Sequence, residues 1–186
     1  MNKNILLQVS GSIAAFKAIS LTSKLVQQGY QVEVILTASA EEFIGVASFE
    51  GMTGKAVHHS QKSRAMFTEG AMMAYIKLEQ WADLILTYPA SAHTVSSFAS
   101  GQSDSLTSTI FLTYQFKKPY WVAPAMNSAM WSHPATQENV KKLSAWGIQI
   151  CMPEEEKTAG DEVVGGRILE PEEMLDKIEQ YFKKKD

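Results

Sequence analysis

Cysteine is nearly missing from this sequence. Cys151 is the only one, so no intrachain disulfide forms and no cysteine-based zinc cluster can be built. Such usage fits a reducing, cytoplasmic setting. A surplus of charge is missing too: 17 basic residues against 20 acidic ones leave a formal net charge of -3. That balance provides no basic footprint for nucleic acid or for an anionic membrane surface. The apolar run at Ile5, Leu6, Leu7 and Val9 is far shorter than the ~20 residues of a membrane span. Ser10-Gly11-Ser12 then leads into a helical pattern instead of a cleavage site, so neither a membrane span nor a targeting segment is expected. There is no internal repeat or low-complexity tract, and 11 Gly and 6 Pro exclude a collagen-like chain. The dinucleotide pattern G-x-G-x-x-G is absent as well, since Ala14 and Ala15 stand where further glycines belong.

What is present is a chain of 186 residues, 45% hydrophobic and 20% charged, which reads as one domain over residues 1–186. Short apolar runs end in turn or small residues at 4–9, 32–37, 82–88, 120–125 and 147–152, and read as strands. Between them, Ile13, Phe16, Leu21 and Leu25 recur at helical spacing before Gly29, and Val140, Leu143 and Trp146 repeat the pattern before Gly147. The stretch from Pro171 to Tyr181 has proline at a helix start, acidic residues in its first turn and lysines beyond its end. Alternating strands and helices predict an α/β fold with a mainly parallel sheet covered on both faces, in three layers. Two segments break the alternation: residues 51–74 read as a long loop with short helical pieces, and residues 153–169 are polar and Gly-rich.

In a parallel sheet, ligands bind outside the carboxyl ends of the strands, so the residues after each run carry the information. After the first come Gly11, Ser12 and Ile13, where free backbone N–H groups and a helix dipole suit a phosphate; an ordinary turn capped by Ser12 is equally consistent. After the second come Thr37 and Ser39, whose hydroxyls can bind phosphate or ribityl oxygens, and Phe43, which can cover an aromatic ring; a helix cap and a core phenylalanine are the plainer alternative. Ser91, Ala92, His93 and Thr94 follow the third run. Pro124-Ala125-Met126-Asn127 ends the fourth, with an amide suited to a carboxylate. Polar exits gathered on one edge are hard to attribute to capping alone.

These residues resemble the homo-oligomeric flavin-containing cysteine decarboxylases. Its branches are the phosphopantothenoylcysteine decarboxylases of coenzyme A synthesis and the peptidyl-cysteine decarboxylases of lantibiotic maturation. The resemblance runs from Gly11-Ser12-Ile13-Ala14-Ala15-Phe16-Lys17 to Gly165-Gly166-Arg167. It is most specific at Pro124-Ala125-Met126-Asn127 with Met130-Trp131, and at Pro89-Ala90-Ser91-Ala92 with Thr94. It implies a Rossmann-like or flavodoxin-like subunit that binds FMN in a trimer, in some members assembled into a dodecamer. It also implies FMN contacts at Gly11, Ser12, Ile13, Thr37, Ser39, Phe43, Ser91, Ala92, Thr94 and Met126. Asn127 then grips the carboxylate of a small molecule or peptide ending in cysteine. Residues 153–169 become a substrate flap, with Gly160, Asp161 and Arg167 as its substrate-binding elements. The implied chemistry is hydride transfer from the substrate β-carbon to the flavin with loss of the thiol proton, then loss of CO2 from the resulting thioaldehyde to leave an enethiolate.

This sequence departs from the family at functional positions. Tyr75 stands where the family has its active-site histidine, and a phenol with a reference pKa of about 10 is a poorer base at neutral pH than an imidazole near 6.5. His93 replaces the usual asparagine, and either returns an imidazole to the cofactor site or fills an interface position. Asp104-Ser105 replaces an Asp-Asn pair, and Ala159 replaces the flap cysteine of the reductive branch, with Cys151 read as a buried small hydrophobe. His58 and His59 read as a solvated pair in a loop, and His133 as local structure before Pro134. Met66, Met72 and Met73 read as core filling. The leading expectation is FMN-dependent decarboxylation of a cysteine carboxylate, phosphopantothenoylcysteine first. The alternatives are a peptidyl-cysteine enzyme stopping at the enethiol, a non-catalytic FMN-binding regulatory paralogue and, more distantly, a dinucleotide oxidoreductase.

Overall fold

The computed structural model describes residues 3–60, 74–153 and 167–184. Six parallel strands form one sheet in the order β3-β2-β1-β4-β5-β6, made of β1 (Asn4–Val9), β2 (Gln31–Leu36), β3 (His58–His59), β4 (Leu84–Ala90), β5 (Tyr120–Pro124) and β6 (Gln149–Ile150). Side chains alternate across a strand, and β1 shows the consequence: Ile5, Leu7 and Val9 enter one core while Leu6 enters the other. On the first face, α1 (Phe16–Gln27), α3 (Val46–Thr53) and α9 (Pro171–Lys183) bury Leu21, Leu25, Phe49, Met174 and Ile178. On the second face, α4 (Ala74–Trp81), α5 (Ala92–Ser100), α6 (Leu106–Thr113) and α8 (Pro134–Ala145) bury Leu78, Val95, Phe98, Ile110 and Leu143. The layers are therefore the three expected of a Rossmann-like or flavodoxin-like α/β domain.

The differences from the sequence reading have simple causes. The third strand runs two residues later than its apolar run suggests, through Pro89 to Ala90. The fifth run shrinks to the two residues of β6, because only Gln149 and Ile150 find partners in β5. His58 and His59 lie in an edge strand, not a loop, paired with Ile35 and Leu36; two polar residues carry no strand signature of their own. As neighbours on a strand they point apart, His58 to Glu33 at 3.0 Å and His59 to Glu41 at 2.6 Å. His133 is the local element it looked like: it caps α8 by accepting from the Ala135 N–H. Met66, Met72 and Met73 lie outside the described residues.

Three strand exits are fastened together at the carboxyl edge. The Ser10 hydroxyl donates to the Pro89 carbonyl at 2.9 Å and accepts from the Ser91 N–H at 2.7 Å, tying the end of β1 to the end of β4. Gly11 lies against the start of α2 (Ala38–Glu41): a Cβ placed on it would stand 2.4 Å from Ser39 Cβ and 2.9 Å from the Ser39 carbonyl carbon. Only glycine permits that approach.

Gly11→Ala is expected to force the two loops apart and to destabilise the domain by roughly 1–3 kcal/mol, the cost of overpacking. Adding Ser39→Gly should recover only part of the loss in denaturant unfolding, because the backbone clash at 2.9 Å persists. Full recovery would show that the side chain alone sets the limit. A second expectation concerns Cys151, which is buried, with desolvation pushing its thiol up to about 12 against a smaller opposing effect of Lys177. A thiol reagent at pH 8 should leave the folded protein unmodified and react fully after denaturation.

Candidate functional site

Two adjoining cavities open at the carboxyl edge, beside the junction of β1 and β4. In the order β3-β2-β1-β4-β5-β6, this is where the chain switches sides and where such sheets leave a crevice. The smaller cavity, about 310 Å³, has Ser or Thr at ten of the seventeen described residues that line it. The larger, about 700 Å³, has a more apolar wall of Ile13, Phe16, Ala125 and Met126, with Lys17, Asn127, Arg167 and Glu170 as its polar side chains besides Ser12 and Ser91. Gly11, Ser91, Ala92 and Met130 line both, so the two are continuous.

Several of the hydroxyls have an identifiable local job. Thr37 caps α2 by accepting from the Ala40 N–H at 3.2 Å, and Ser91 caps α5 by accepting from Thr94 N–H at 3.3 Å. The Ser91 and Thr94 hydroxyls are also 3.1 Å apart. Ser12 accepts from the Ala14 N–H and donates to the Ala125 carbonyl at 3.4 Å, so its side chain is occupied at both ends. The expected contacts from Gly11, Thr37, Ser39, Ser91, Ala92, His93 and Thr94 meet on the smaller cavity. Ser12, Ile13 and Met126 line the larger one. Phe43 is 55% exposed and lines neither.

Asn127 stands at the start of the turn Ser128–Ser132, and its Oδ1 accepts from the Ala129 N–H at 2.8 Å. That cap fixes the amide's orientation, turning Nδ2 away from the helix as a donor. Lys17 lies opposite, held by Glu170 at 2.6 Å. Tyr75 is half-buried in the first turn of α4, packed on the second core, and lines neither cavity of its own chain. Gly160 and Asp161 lie outside the described residues, whereas Arg167 reaches the larger cavity.

Several site residues were not expected from the sequence. The hydroxyl of Ser60, just after β3, lies 3.1 Å from the Thr107 hydroxyl and accepts from the Thr107 N–H at 3.2 Å, and both residues line the smaller cavity. Ser105 and Ser108 form a capping box at the start of α6, with Ser108 also donating to Asp104 at 3.0 Å. The dense run of hydroxyls from Ser103 to Thr109 was the available signal. Ser97 gave none: it is only 4% exposed, and its Oγ has no partner among the described residues. A buried hydroxyl on a cavity wall lacks the hydrogen bond that a polar ligand can supply.

The residues therefore fit a ligand with a hydroxylated, anionic tail and a flat apolar head. Hydroxyls and the start of α5 line the smaller cavity, the buried Ser97 hydroxyl has no partner among the described residues, and the larger cavity supplies the apolar wall. Among the described residues no cluster of His, Cys, Asp and Glu could hold a metal ion, and no helix is long and apolar enough to cross a membrane.

Comparison with known proteins agrees with this geometry. Coenzyme A biosynthesis bifunctional proteins CoaBC from Vibrio parahaemolyticus and Bacillus subtilis are 38% and 37% identical to this chain over 183 and 181 residues. These matches cover 98% and 97% of this chain but 45% and 43% of the relatives, so the chain spans less than half of their length. A probable phosphopantothenoylcysteine decarboxylase from Streptococcus mutans is 33% identical over 182 residues, covering 98% of this chain and all of the relative. Among solved structures, a mutant PPC decarboxylase complexed with pantothenoylaminoethenethiol superposes with a TM-score of 0.83 at 26% identity, covering 98% of this chain and 100% of that one. The FMN binding protein AtHal3 superposes at 0.84 with 26% identity, covering 99% and 98%. The flavoprotein family matches residues 1–183, nearly the whole chain, and this protein belongs to it.

Proposed function

We propose that this chain binds FMN and decarboxylates a molecule ending in a cysteine carboxylate, with phosphopantothenoylcysteine the first candidate. The observation that carries this reading is Asn127, capped so that its Nδ2 is presented next to an apolar-walled cavity continuous with a hydroxyl-lined one. FMN supplies the hydride acceptor. Its phosphate and ribityl chain suit the hydroxyls of Thr37, Ser39, Ser91 and Thr94, and its ring suits the wall of Ile13 and Met126. The chain's own residues orient and hold. Asn127 binds the substrate carboxylate, Arg167 adds positive charge on the same cavity, and Met126 and Met130 exclude water from the reacting carbon. The relatives' names support the substrate class.

A homo-oligomer, a trimer or a higher assembly of trimers, is part of this proposal. Its support is the apolar surface: Ile13 is 84% exposed, Phe16 60% and Phe43 55%, and the first two border the larger cavity. Exposed apolar groups of that size around a site ask to be covered. On this reading Tyr75, turned away from its own chain's cavities, serves a neighbour's site. A second reading, a flavin-binding subunit without catalysis, draws on Tyr75 and Ala159, which replace the family's histidine and flap cysteine.

The test is direct. Purified protein should show flavin absorbance after incubation with FMN; a colourless protein would overturn the cofactor reading. Incubated in air with phosphopantothenoylcysteine or a peptide ending in cysteine, it should yield a product lighter by CO2 and two hydrogens, the enethiol. Efficient conversion to the saturated thiol would refute the role given to Ala159. Asn127→Asp should keep the flavin and lower kcat/KM by about 10²-fold or more, because it sets a second carboxylate against the substrate's. If the chain holds FMN but turns over neither substrate, and Tyr75→His confers turnover, the non-catalytic reading holds.

A further inference from the structure

The smaller cavity has an unusual charge make-up for a site that receives a phosphate. Among the described residues, no lysine or arginine lines it, and of those that do line it, His93 is the one able to carry positive charge and Asp104 the one carboxylate. His93 sits in the first turn of α5, one residue before Thr94 and two after the capping Ser91, and is exposed on the cavity wall. The same cavity holds the unpartnered hydroxyl of Ser97 one turn further along that helix, 4% exposed. An anion lying at the start of α5 has a helix end, a buried hydroxyl lacking a bond and one imidazole to meet it.

We propose that His93 supplies the titratable charge for the phosphate of FMN, so that the protein holds FMN more tightly when this imidazole is protonated. The inference rests on the FMN reading above. An imidazole changes charge between pH 5 and 8, and a charge-assisted contact to phosphate is stronger than a neutral one. The sign follows: the extra affinity is present at the acidic end of that range and fades as the pH rises. Among the described residues, no ionisable group besides His93 and Asp104 lines this cavity. Asp104 accepts from Ser108 at 3.0 Å, and a carboxylate repels a phosphate. Glu41 and His59 are occupied with each other at 2.6 Å, and Glu42 follows α2 without lining the cavity. Neither α5 nor α6 carries another charged residue, and α8, which packs on α5, carries Glu138, Lys141 and Lys142 without bringing them to the cavity.

The test compares FMN with riboflavin, which lacks the phosphate, by fluorescence titration of flavin-stripped full-length protein from pH 6 to 8.5. Wild-type protein should bind FMN about five- to thirtyfold more tightly than His93→Asn at pH 6, and the two should converge by pH 8.5. Riboflavin should bind both proteins equally at every pH. An FMN ratio that stays constant with pH, or an equal change for riboflavin, would overturn the role of His93 while leaving the cofactor reading intact. Failure to bind either flavin would overturn both. Abolition of the pH dependence by Asp104→Asn, with His93→Asn behaving as wild type, would transfer the effect to the carboxylate and reject the proposal.

Discussion

The near-contact of three strand exits governs the rest of this molecule. In a sheet whose strands all run parallel, every carboxyl end faces the same edge, but the loops there become a site only if they meet. Here the Ser10 hydroxyl stands between the Pro89 carbonyl and the Ser91 N–H, and Gly11 lets the start of α2 come to within van der Waals range of β1's exit. A side chain at position 11 would open that junction. The two cavities would then part company, because Gly11, Ser91, Ala92 and Met130 are the surface they share.

Helix capping and ligand binding usually compete as explanations for hydroxyls at strand exits, and at the sequence level both stay open for Thr37 and Ser91. The geometry removes the competition. A capping hydroxyl accepts from a backbone N–H through a lone pair and keeps its own O–H to donate elsewhere. Thr37 accepts in this way and keeps its proton for a phosphate or ribityl oxygen, and of the paired Ser91 and Thr94 hydroxyls one proton is left to donate. Ser12 differs because it also donates to Ala125, which ties β1's exit to β5's and spends its hydroxyl on the fold.

What could be read from the sequence follows from where the signal is local. β1, β2 and β5 are short apolar runs buried on both faces, and periodicity alone places them within about two residues of their observed bounds. β3 is made by its neighbours: His58 and His59 become a strand because Ile35 and Leu36 offer an unpaired edge. The cavity's hydroxyls at the strand exits were legible because they follow apolar runs. Ser60 and Ser97 were not, since one depends on the β2–β3 pairing and the other on which side of α5 faces the crevice. Tyr75 shows the limit of carrying a role over by motif. Its position on α4 is clear, yet its side chain packs on the second core and lines neither cavity.

The distribution of charge between the cavities has a consequence for how one crevice can take two anions. The fixed cations, Lys17 and Arg167, are on the larger cavity, where a substrate carboxylate would arrive, and Lys17 is already balanced by Glu170. Among the described residues, the smaller cavity offers neutral donors, a single imidazole and the Asp104 carboxylate. Had lysine or arginine lined the hydroxyl side, a substrate carboxylate and a cofactor phosphate would compete for the same charges. On the proposed assignment, neutral hydroxyls recognise a polyhydroxylated tail by shape and hydrogen bonding, and the described permanent positive charge stays on the substrate side with Asn127. That split between a hydroxyl-rich end and a cationic end would let the fold hold one anion while exchanging the other.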